Sequence, residues 1–204
     1  MRPTRHGSRL KRVIRARKLS KRFGDKRVLD GLDLDVARGG FVLVTGPNGS
    51  GKTTLLRLCA GLAAPTAGEL EVDAPRAKVG FLAHEPLVYR ELTALENLDL
   101  YGRLSRILER RERCGAMLER FGLWENRNER AATFSRGMLQ RLALCRTFLH
   151  EPDLLLLDEP FDGLDADGEK RLSQRLAEHP STVLVATHDP KPLAARATAR
   201  LALA

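Results

Sequence analysis

Two hydrophobic patterns divide the chain. Between Val28 and Val36 apolar residues alternate with aspartates, which is typical of a strand with one buried and one exposed face, and the pattern is strand-like from Val13 onward. Further along, unbroken apolar runs predict strands that are covered on both faces, as in a parallel sheet. We therefore expect an N-terminal antiparallel sheet followed by an α/β core.

Apolar runs and helical periodicity place the remaining elements. Buried strands are predicted at residues 41–44, 154–157 and 182–186, and shorter strands at 69–72 and 78–82. Helical periodicity covers residues 55–62, 92–149 and 166–178. We interpret residues 85–150 as a helical subdomain inserted into a single domain that spans residues 13–204. Residues 1–12 are interpreted as a basic, disordered arm.

Two residues are suited to begin helices in this block. Thr93 has Glu96 three residues later, which is the spacing of a capping box. Ser135 precedes an amphipathic stretch that runs to about His150, so a purely structural role as a cap is open for it.

A glycine-rich loop joins the first buried strand to the first helix. Its nine residues are Gly46, Pro47, Asn48, Gly49, Ser50, Gly51, Lys52, Thr53 and Thr54. Small residues let successive backbone N–H groups surround a phosphate, and the helix N-terminus adds positive partial charge. Lys52 is placed to reach the β- and γ-phosphates, and Thr53 offers a hydroxyl to Mg²⁺. The alternative is a glycine-rich turn without a ligand, but the full pattern between strand and helix favours a nucleoside triphosphate site.

Polar side chains follow three of the predicted strands. They are His84, the pair Asp158–Glu159, and His188. Ligands of open α/β sheets bind at the carboxyl ends of the strands. Asp158 fits the residue that holds the hydration shell of Mg²⁺, and Glu159 fits the base that activates an attacking water. A lone histidine is usually structural, but this convergence favours a functional role for His188.

Length and composition exclude several classes of protein. The 204 residues, 43% of them hydrophobic, suffice for one domain with a sizeable core. No apolar run approaches the roughly 18 residues of a membrane span, and no apolar leader opens the chain, so we expect a cytoplasmic location. Three cysteines without a C-x-x-C pair indicate neither a disulfide framework nor a zinc site.

The net charge of +9 is concentrated at the N-terminus. Residues 1–27 hold twelve Lys or Arg against Asp25 alone, which leaves the rest of the chain close to neutral. Such a segment can contact anionic lipid or nucleic acid. Because no aromatic residue is interleaved before Phe23, a solvated basic extension is favoured.

In this order the motifs resemble the ATP-binding subunits of ABC transporters, from about Val13 to Arg200. The resemblance implies an ABC-type P-loop ATPase fold and ATP hydrolysis with Mg²⁺. It places His84 at the family's glutamine-loop position and His188 at the switch histidine. It also gives Phe23 a role in stacking on adenine, whereas the residues alone leave an ordinary hairpin role equally open.

The resemblance extends to the residues that would serve a second subunit. Phe134 to Met138 stands at the LSGGQ-like motif, and the loop from Asp162 to Asp165 stands at the D-loop. The implied partners are a second copy of the chain in an ATP-bound homodimer and separate transmembrane subunits, docked around residues 84–90. This implies a peripheral location on the inner face of the membrane.

Two departures from the family pattern stand out. In the LSGGQ-like motif Ser135 and Gly137, the residues expected to contact the γ-phosphate of the partner's ATP, are kept. Arg136 and Met138 replace a glycine and a glutamine, and Arg136 would either add positive charge near the phosphate or crowd it. His84 replaces a glutamine; it would sit near Mg²⁺ or its water and titrates near neutral pH.

The histidine at position 84 narrows the resemblance to one branch of the family. His84 with its neighbours to Pro86, together with residues 91–98 and 171–176, resembles the haem-exporter ATPase branch of cytochrome c biogenesis. The alternatives are an exporter ATPase for a lipid, drug or peptide, and a soluble ABC ATPase of repair, translation or iron–sulfur assembly. Nucleic acid is not expected as a partner, because no large insertion or second ATPase domain is present. A GTPase is disfavoured by the absence of an Asn-Lys-x-Asp motif.

Overall fold

Two sheets and a set of helices make up residues 11–204, the part of the chain that the computed structural model describes. The strands are β1 (Arg12–Phe23), β2 (Lys26–Ala37), β3 (Phe41–Thr45), β4 (Ala67–Val72), β5 (Val79–Leu82), β6 (Leu154–Asp158), β7 (Thr182–Ala186) and β8 (Ala199–Ala202). The helices are α1 (Lys52–Cys59), α2 (Ala94–Leu104), α3 (Arg110–Arg120), α4 (Arg136–Phe148) and α5 (Ala166–Glu178). Within residues 11–204, no helix combines the length and the apolar character that crossing a bilayer requires.

The smaller sheet is antiparallel, as the alternating pattern predicts, with strand order β2-β1-β4. The predicted disordered arm lies outside the described residues up to position 10, but β1 already begins at Arg12. The expectation that residues up to 27 form a solvated extension is wrong for the described part. Arg17 pairs with Asp35 across the sheet at 2.7 Å, and Arg15 lies 3.8 Å from Glu71, because the neighbouring strands present acidic residues to this face.

The larger sheet is parallel and runs in the order β5-β6-β7-β3-β8. Successive leucines of β6 point to opposite sides: Leu154 packs against α1 and the antiparallel sheet, and Leu155 packs against helices α2–α5. Both leucines are fully buried. This two-sided burial explains the unbroken apolar runs, and it brings the carboxyl ends of β3, β5, β6 and β7 to one edge.

Several element bounds differ from the sequence predictions. Helix α1 begins at Lys52, because Gly51 ends the loop in a left-handed conformation, and it ends by Cys59, before the left-handed Gly61. The predicted helical stretch 92–149 breaks into α2, α3 and α4, with the caps on Thr93 and Ser135 confirmed. The sequence did not indicate β8, a short strand of alternating alanine with arginine or leucine, mostly exposed, that completes the sheet beside β3.

A buried asparagine holds the segment that leads from β5 to α2. Asn97, on α2, is 1% exposed. Its side-chain amide donates to the carbonyls of Tyr89, Leu92 and Thr93, and its oxygen accepts from the Tyr89 N–H at 2.8 Å. The three carbonyls also accept backbone hydrogen bonds, so the Asn97 side chain adds a second partner to each and supplies an acceptor for the Tyr89 N–H. These bonds hold the path of the chain just beyond His84.

We expect Asn97→Ala to lower the free energy of unfolding by about 2–4 kcal/mol, because the substitution removes a buried side chain together with all of its hydrogen bonds to the backbone. Chemical denaturation followed by circular dichroism measures this loss. The matched control is Asn126→Ala, which removes an amide that bonds to the Glu129 side chain at the surface and is expected to change stability by less than about 1 kcal/mol. Equal losses in the two variants would contradict the assignment.

Candidate active site

The glycine-rich loop has the shape of an anion cradle. Gly46 has a φ of +150°, and a Cβ there would lie 2.4 Å from the carbonyl oxygen of Leu203. Gly51 has a φ of +97°, and its Cβ would lie 2.9 Å from the carbonyl oxygen of Val28. Both the backbone conformation and the close neighbours therefore demand glycine, and the loop follows a path that other residues could not take.

Positive charge is concentrated inside this loop. Lys52 is buried, and its Nζ donates to the carbonyl oxygens of Gly46 at 2.7 Å and Pro47 at 3.0 Å. The first turn of α1 contains no acidic residue, and Gly51 offers no side chain to cap it. The Oγ of Ser50 is buried without a hydrogen-bond partner among the described residues. The loop thus presents unpaired donors, a helix N-terminus and a lysine charge to one point, which suits a phosphate.

A threonine and an aspartate meet beside the loop. The Thr53 hydroxyl donates to Asp158 Oδ2 at 2.7 Å, and Asp158, at the end of β6, is 1% exposed. Burial raises the pKa of the Asp158 carboxyl, and the hydrogen bond from Thr53 opposes that effect. Among residues 11–204, no group of three or more His, Cys, Asp or Glu is placed to hold a metal. Two hard oxygens with room for water and phosphate suit Mg²⁺, which rarely takes an all-protein cage.

Next to this pair, Glu159 is held in a constrained position. Its φ is +46°, and its backbone N–H donates to the carbonyl of Ala186 at 2.9 Å, which ties the turn to β7. Its carboxylate lies 2.9 Å from His188 Nδ1, with the glutamate side chain 12% and the histidine 68% exposed. A left-handed backbone at a non-glycine residue is uncommon, and such strain is typical of functional sites.

These residues line one cleft of about 670 Å³ at the carboxyl edge of the parallel sheet. Lys52, Thr53, Asp158, Glu159 and His188 all contribute to its wall. His84, which follows β5, contributes from the opposite side and is close enough to lower the pKa of Asp158. The strand-end residues that the sequence singles out therefore do come together.

Three further residues line the wall, and sequence reasoning does not indicate two of them. Lys26 and Val28 come from β2, and Asp162 comes from the turn after Glu159. No local pattern marks Lys26 or Val28, because the hairpin reaches the cleft only through packing of the antiparallel sheet. The family resemblance places Asp162 at the start of the D-loop, among the residues that serve a second subunit, and the structure places it also on the wall of the cleft.

The other predicted site residues lie outside this cleft. Phe23 is exposed at the end of β1, with Lys21 Nζ 4.9 Å from its ring centroid, and pairs across the hairpin with Lys26. Ser135 caps α4 by accepting from the Met138 N–H at 3.2 Å, so this serine has the predicted structural role.

The remaining members of the LSGGQ-like motif and the D-loop lie beside one another. Arg136 and Gly137 form the start of α4 and contact the turn after Glu159 through Asp162 and Gly163. Asp165 caps α5 by accepting from the Gly168 N–H at 2.8 Å. Arg136, Gly137 and Asp165 themselves do not line the cleft that contains the loop Gly46–Thr54.

Comparison with known proteins adds the decisive observation. A family model described as ABC transporter matches residues 29–162 of the 204. The chain belongs to the ABC transporter family. Most of β2, the glycine loop, the helical block and the acidic strand end fall within the match. Of the cleft residues, Lys26, Val28 and His188 lie outside it.

Individual ABC transporter proteins resemble the chain closely. The daunorubicin resistance ATP-binding protein DrrA3 of Streptomyces coeruleorubidus is 44% identical over 72% of this chain and 50% of the relative. The aliphatic sulfonates import ATP-binding protein SsuB 1 of Pseudomonas syringae pv. tomato is 43% identical over 86% of this chain and 64% of the relative. The chain spans about half to two thirds of the length of these relatives.

Solved structures of ABC proteins share the fold. An ATP-binding subunit of an ABC transporter superposes with a TM-score of 0.86 at 28% identity, over 94% of this chain and 85% of that one. The ATP-binding cassette MJ0796, in a dimeric post-hydrolysis state with ADP and Pi, superposes with a TM-score of 0.78 at 28% identity, over 88% and 89% of the two chains. The fold is therefore that of an ABC-type P-loop ATPase.

The buried carboxylate of Asp158 leads to a prediction about stability. Because burial raises its pKa, the ionised form destabilises the folded chain above that pKa, and the penalty disappears as the pH falls through it. We expect Asp158→Asn, without nucleotide, to unfold at the same or a higher temperature than the wild type at pH 7, with the difference shrinking toward acid pH.

The same variant is expected to lose its response to nucleotide. At about 100 times its dissociation constant, Mg²⁺-ADP should stabilise the wild type by about 2.7 kcal/mol, and addition of Mg²⁺ to ADP should add little in Asp158→Asn. Thermal melts with ADP, with and without Mg²⁺, measure both effects. The control is Asp153→Asn, an exposed aspartate, which should respond like the wild type. A destabilised Asp158→Asn chain that kept the full Mg²⁺ effect would contradict the site.

Proposed function

We propose that this chain is the ATP-hydrolysing subunit of an ABC transporter. The observation that carries the proposal is the Glu159–His188 pair, held at 2.9 Å beside Thr53 and Asp158 in one cleft. A phosphate cradle alone would support nucleotide binding. A constrained carboxylate next to it supplies the base that hydrolysis requires.

Each residue of the cleft has a distinct role in this mechanism. The loop N–H groups and Lys52 bind the β- and γ-phosphates, and Lys52 exchanges the carbonyls of Gly46 and Pro47 for phosphate oxygens. Thr53 and Asp158 would hold Mg²⁺, which would supply neutralisation of the charge on the phosphates. Glu159 accepts a proton from the attacking water, and His188 orients the Glu159 carboxylate through the contact at Oε2.

The active form proposed is a homodimer bound to ATP. Ser135 and Gly137 stand at the start of α4 and do not line the cleft of their own chain, so the nucleotide they are proposed to contact is that of a second copy. The N-terminus of α4 offers backbone donors to that phosphate. The dimeric post-hydrolysis state of MJ0796 with ADP and Pi, a protein of the same fold, supports this arrangement. Phe23 is proposed to stack on the adenine.

Replacing the base should trap this pair. We expect Glu159→Gln to bind ATP and Mg²⁺ but hydrolyse it at least about 100-fold more slowly, because the water loses its proton acceptor, and so to elute as a dimer in gel filtration. Lys52→Ala is the matched control, expected to be inactive and monomeric because phosphate binding fails. A Glu159→Gln chain that stays monomeric in ATP and Mg²⁺, or full ATPase activity of purified Lys52→Ala, would overturn the proposal.

The proposed membrane partners are separate transmembrane subunits, which place the chain on the inner face of the membrane. They dock on the segment between His84 and Arg90, where Leu87 and Tyr89 are exposed. The Leu87 carbonyl accepts from the Tyr101 hydroxyl at 2.9 Å, so this segment offers a firm apolar surface. Contact of residues 1–27 with anionic lipid is proposed only for the positions before β1, since Arg15 and Arg17 pair within the sheet.

For the cargo, we propose haem delivery in cytochrome c biogenesis. The proposal rests on the resemblance of His84 and the segments 91–98 and 171–176 to that branch. A second candidate is export of another substrate such as a drug. It is favoured by the 44% identity to a daunorubicin resistance protein.

Covalent haem in c-type cytochromes distinguishes the two cargoes. The gene in the source cell is replaced by one that encodes Lys52→Ala. We expect loss of the cytochrome bands that stain for peroxidase activity on a denaturing gel. The bands should recover when the wild-type gene is returned. Asp153→Asn, at an exposed residue outside the cleft and outside the segments 91–98 and 171–176, should keep the bands. Unchanged bands in a cell that makes such cytochromes and has no second copy would reject haem delivery and leave the second candidate.

A further inference from the structure

We propose that Arg136 and Asp162 form a positioning pair that couples the active site of one chain to the surface it offers to a second copy. The proposal rests on the function proposed above, since it concerns the ATP-bound pair. In this proposal Arg136 does not itself contact the phosphate of the partner's ATP. The guanidinium is instead engaged within its own chain, with Arg136 Nη2 2.5 Å from Asp162 Oδ2.

The packing around this ion pair is close. The stem of Arg136 lies over Gly163, where an added Cβ would stand 3.1 Å from both Cγ and Nε of the arginine. Gly163 has a φ of +75°, so glycine is favoured there by conformation as well as by space. Arg136 therefore rests its side chain on the turn, although 71% of that side chain remains exposed.

Two more contacts fasten the start of α4 to the same turn. A Cβ on Gly137 would lie 2.8 Å from the carbonyl oxygen of Gly163, so the two backbones touch. One turn further along, Gln140 is buried and its Nε2 donates to the Pro160 carbonyl at 3.2 Å. The beginning of α4 therefore contacts the loop that follows Glu159 at three positions, which are Arg136, Gly137 and Gln140.

Electrostatics explain why an arginine at this position needs Asp162. Arg136 is the first residue of α4, whose first turn contains no acidic side chain. A positive charge at a helix N-terminus is unfavourable, because it faces the positive end of the helix dipole. The carboxylate of Asp162 offsets that repulsion from outside the helix.

The other end of this connection is the cleft. Asp162 lines it, and the Asp162 N–H donates to the Glu159 carbonyl at 3.1 Å. One short turn therefore holds the proposed base of its own site and supports the residues that meet the nucleotide of a second copy. If this turn shifts when the chain's own cleft changes, the start of α4 shifts with it, and so does its contact with the nucleotide of the second copy.

The test measures pairing in the Glu159→Gln background. For Arg136→Ala and for Asp162→Asn, we expect the ATP concentration at half-maximal dimer to rise about three- to fivefold, the range that loss of one exposed ion pair allows. The double variant should be no worse than either single one. Arg171→Ala is the matched control: it removes an ion pair at 2.6 Å on α5, away from the cleft, and should leave the midpoint unchanged.

Charge reversal separates positioning from direct contact. In Arg136→Asp with Asp162→Arg, a positioning pair is rebuilt and the midpoint should return to within about twofold of the starting chain. A direct contact of Arg136 with the partner's phosphate predicts further loss in this variant, because an aspartate would then face the phosphate, and that result would overturn the proposal. Equal midpoints in all variants would also overturn it.

Titration of the monomeric Arg136→Ala chain with ADP tests whether the substitution has damaged the chain's own nucleotide site. We expect the dissociation constant for ADP to stay within about twofold of the value for the starting chain. A larger loss of ADP affinity would attribute the effect to the fold of the chain's own site and overturn the positioning role. If Glu159→Gln alone fails to pair in ATP, the proposed function fails, and the coupling fails with it.

Discussion

A buried carboxylate at the end of an all-leucine strand is the constraint on which the site depends. Asp158 is 1% exposed and follows four fully buried leucines, so its charge is separated from water by the same burial that stabilises the sheet. Desolvation of an ion must be offset by donors or a counterion. Thr53 supplies a donor from α1, and His84 and Arg57 lie close enough to favour the charged form. Helix α1, β6 and the glycine loop are therefore fixed relative to one another by the need to compensate one charge.

The sequence predicted well the features that depend on residues close together in the chain. The buried strands are visible because two-sided burial requires unbroken apolar runs, and the Thr93 and Ser135 caps are visible because capping acts within one turn. The strand-end residues could be grouped because parallel strands share one carboxyl edge. The cleft residues Lys26 and Val28 were not foreseen, since their positions depend on how the hairpin packs. Strand β8 escaped for a similar reason: it is stabilised by pairing with β3 and has no apolar run of its own.

Two groups of charged or titratable residues show how packing changes an interpretation. The basic residues of β1 suggested a solvated extension, but acidic residues on β2 and β4 meet Arg15 and Arg17 across the sheet. His179 directly follows α5 and is partly buried, with its ring centroid 5.5 Å from that of Phe148. Burial and the nearby Arg175 lower the pKa of His179 to about 4, so its ring is neutral at physiological pH. In both cases the sequence shows the residue but not its neighbour.

The bonds from Lys52 to Gly46 and Pro47 have a thermodynamic consequence. The ammonium group occupies the middle of the loop and acts as an internal template that keeps the loop open. A ligand entering the loop therefore exchanges one set of hydrogen bonds for another, and little chain entropy remains to be lost. Ordering nine flexible residues at the moment of binding would oppose association by several kcal/mol, on the order of 1 kcal/mol for each residue fixed. Because Lys52 already orders the loop in the folded chain, this entropy is lost during folding. Ligand binding can then be fast, with little change in the backbone of the loop.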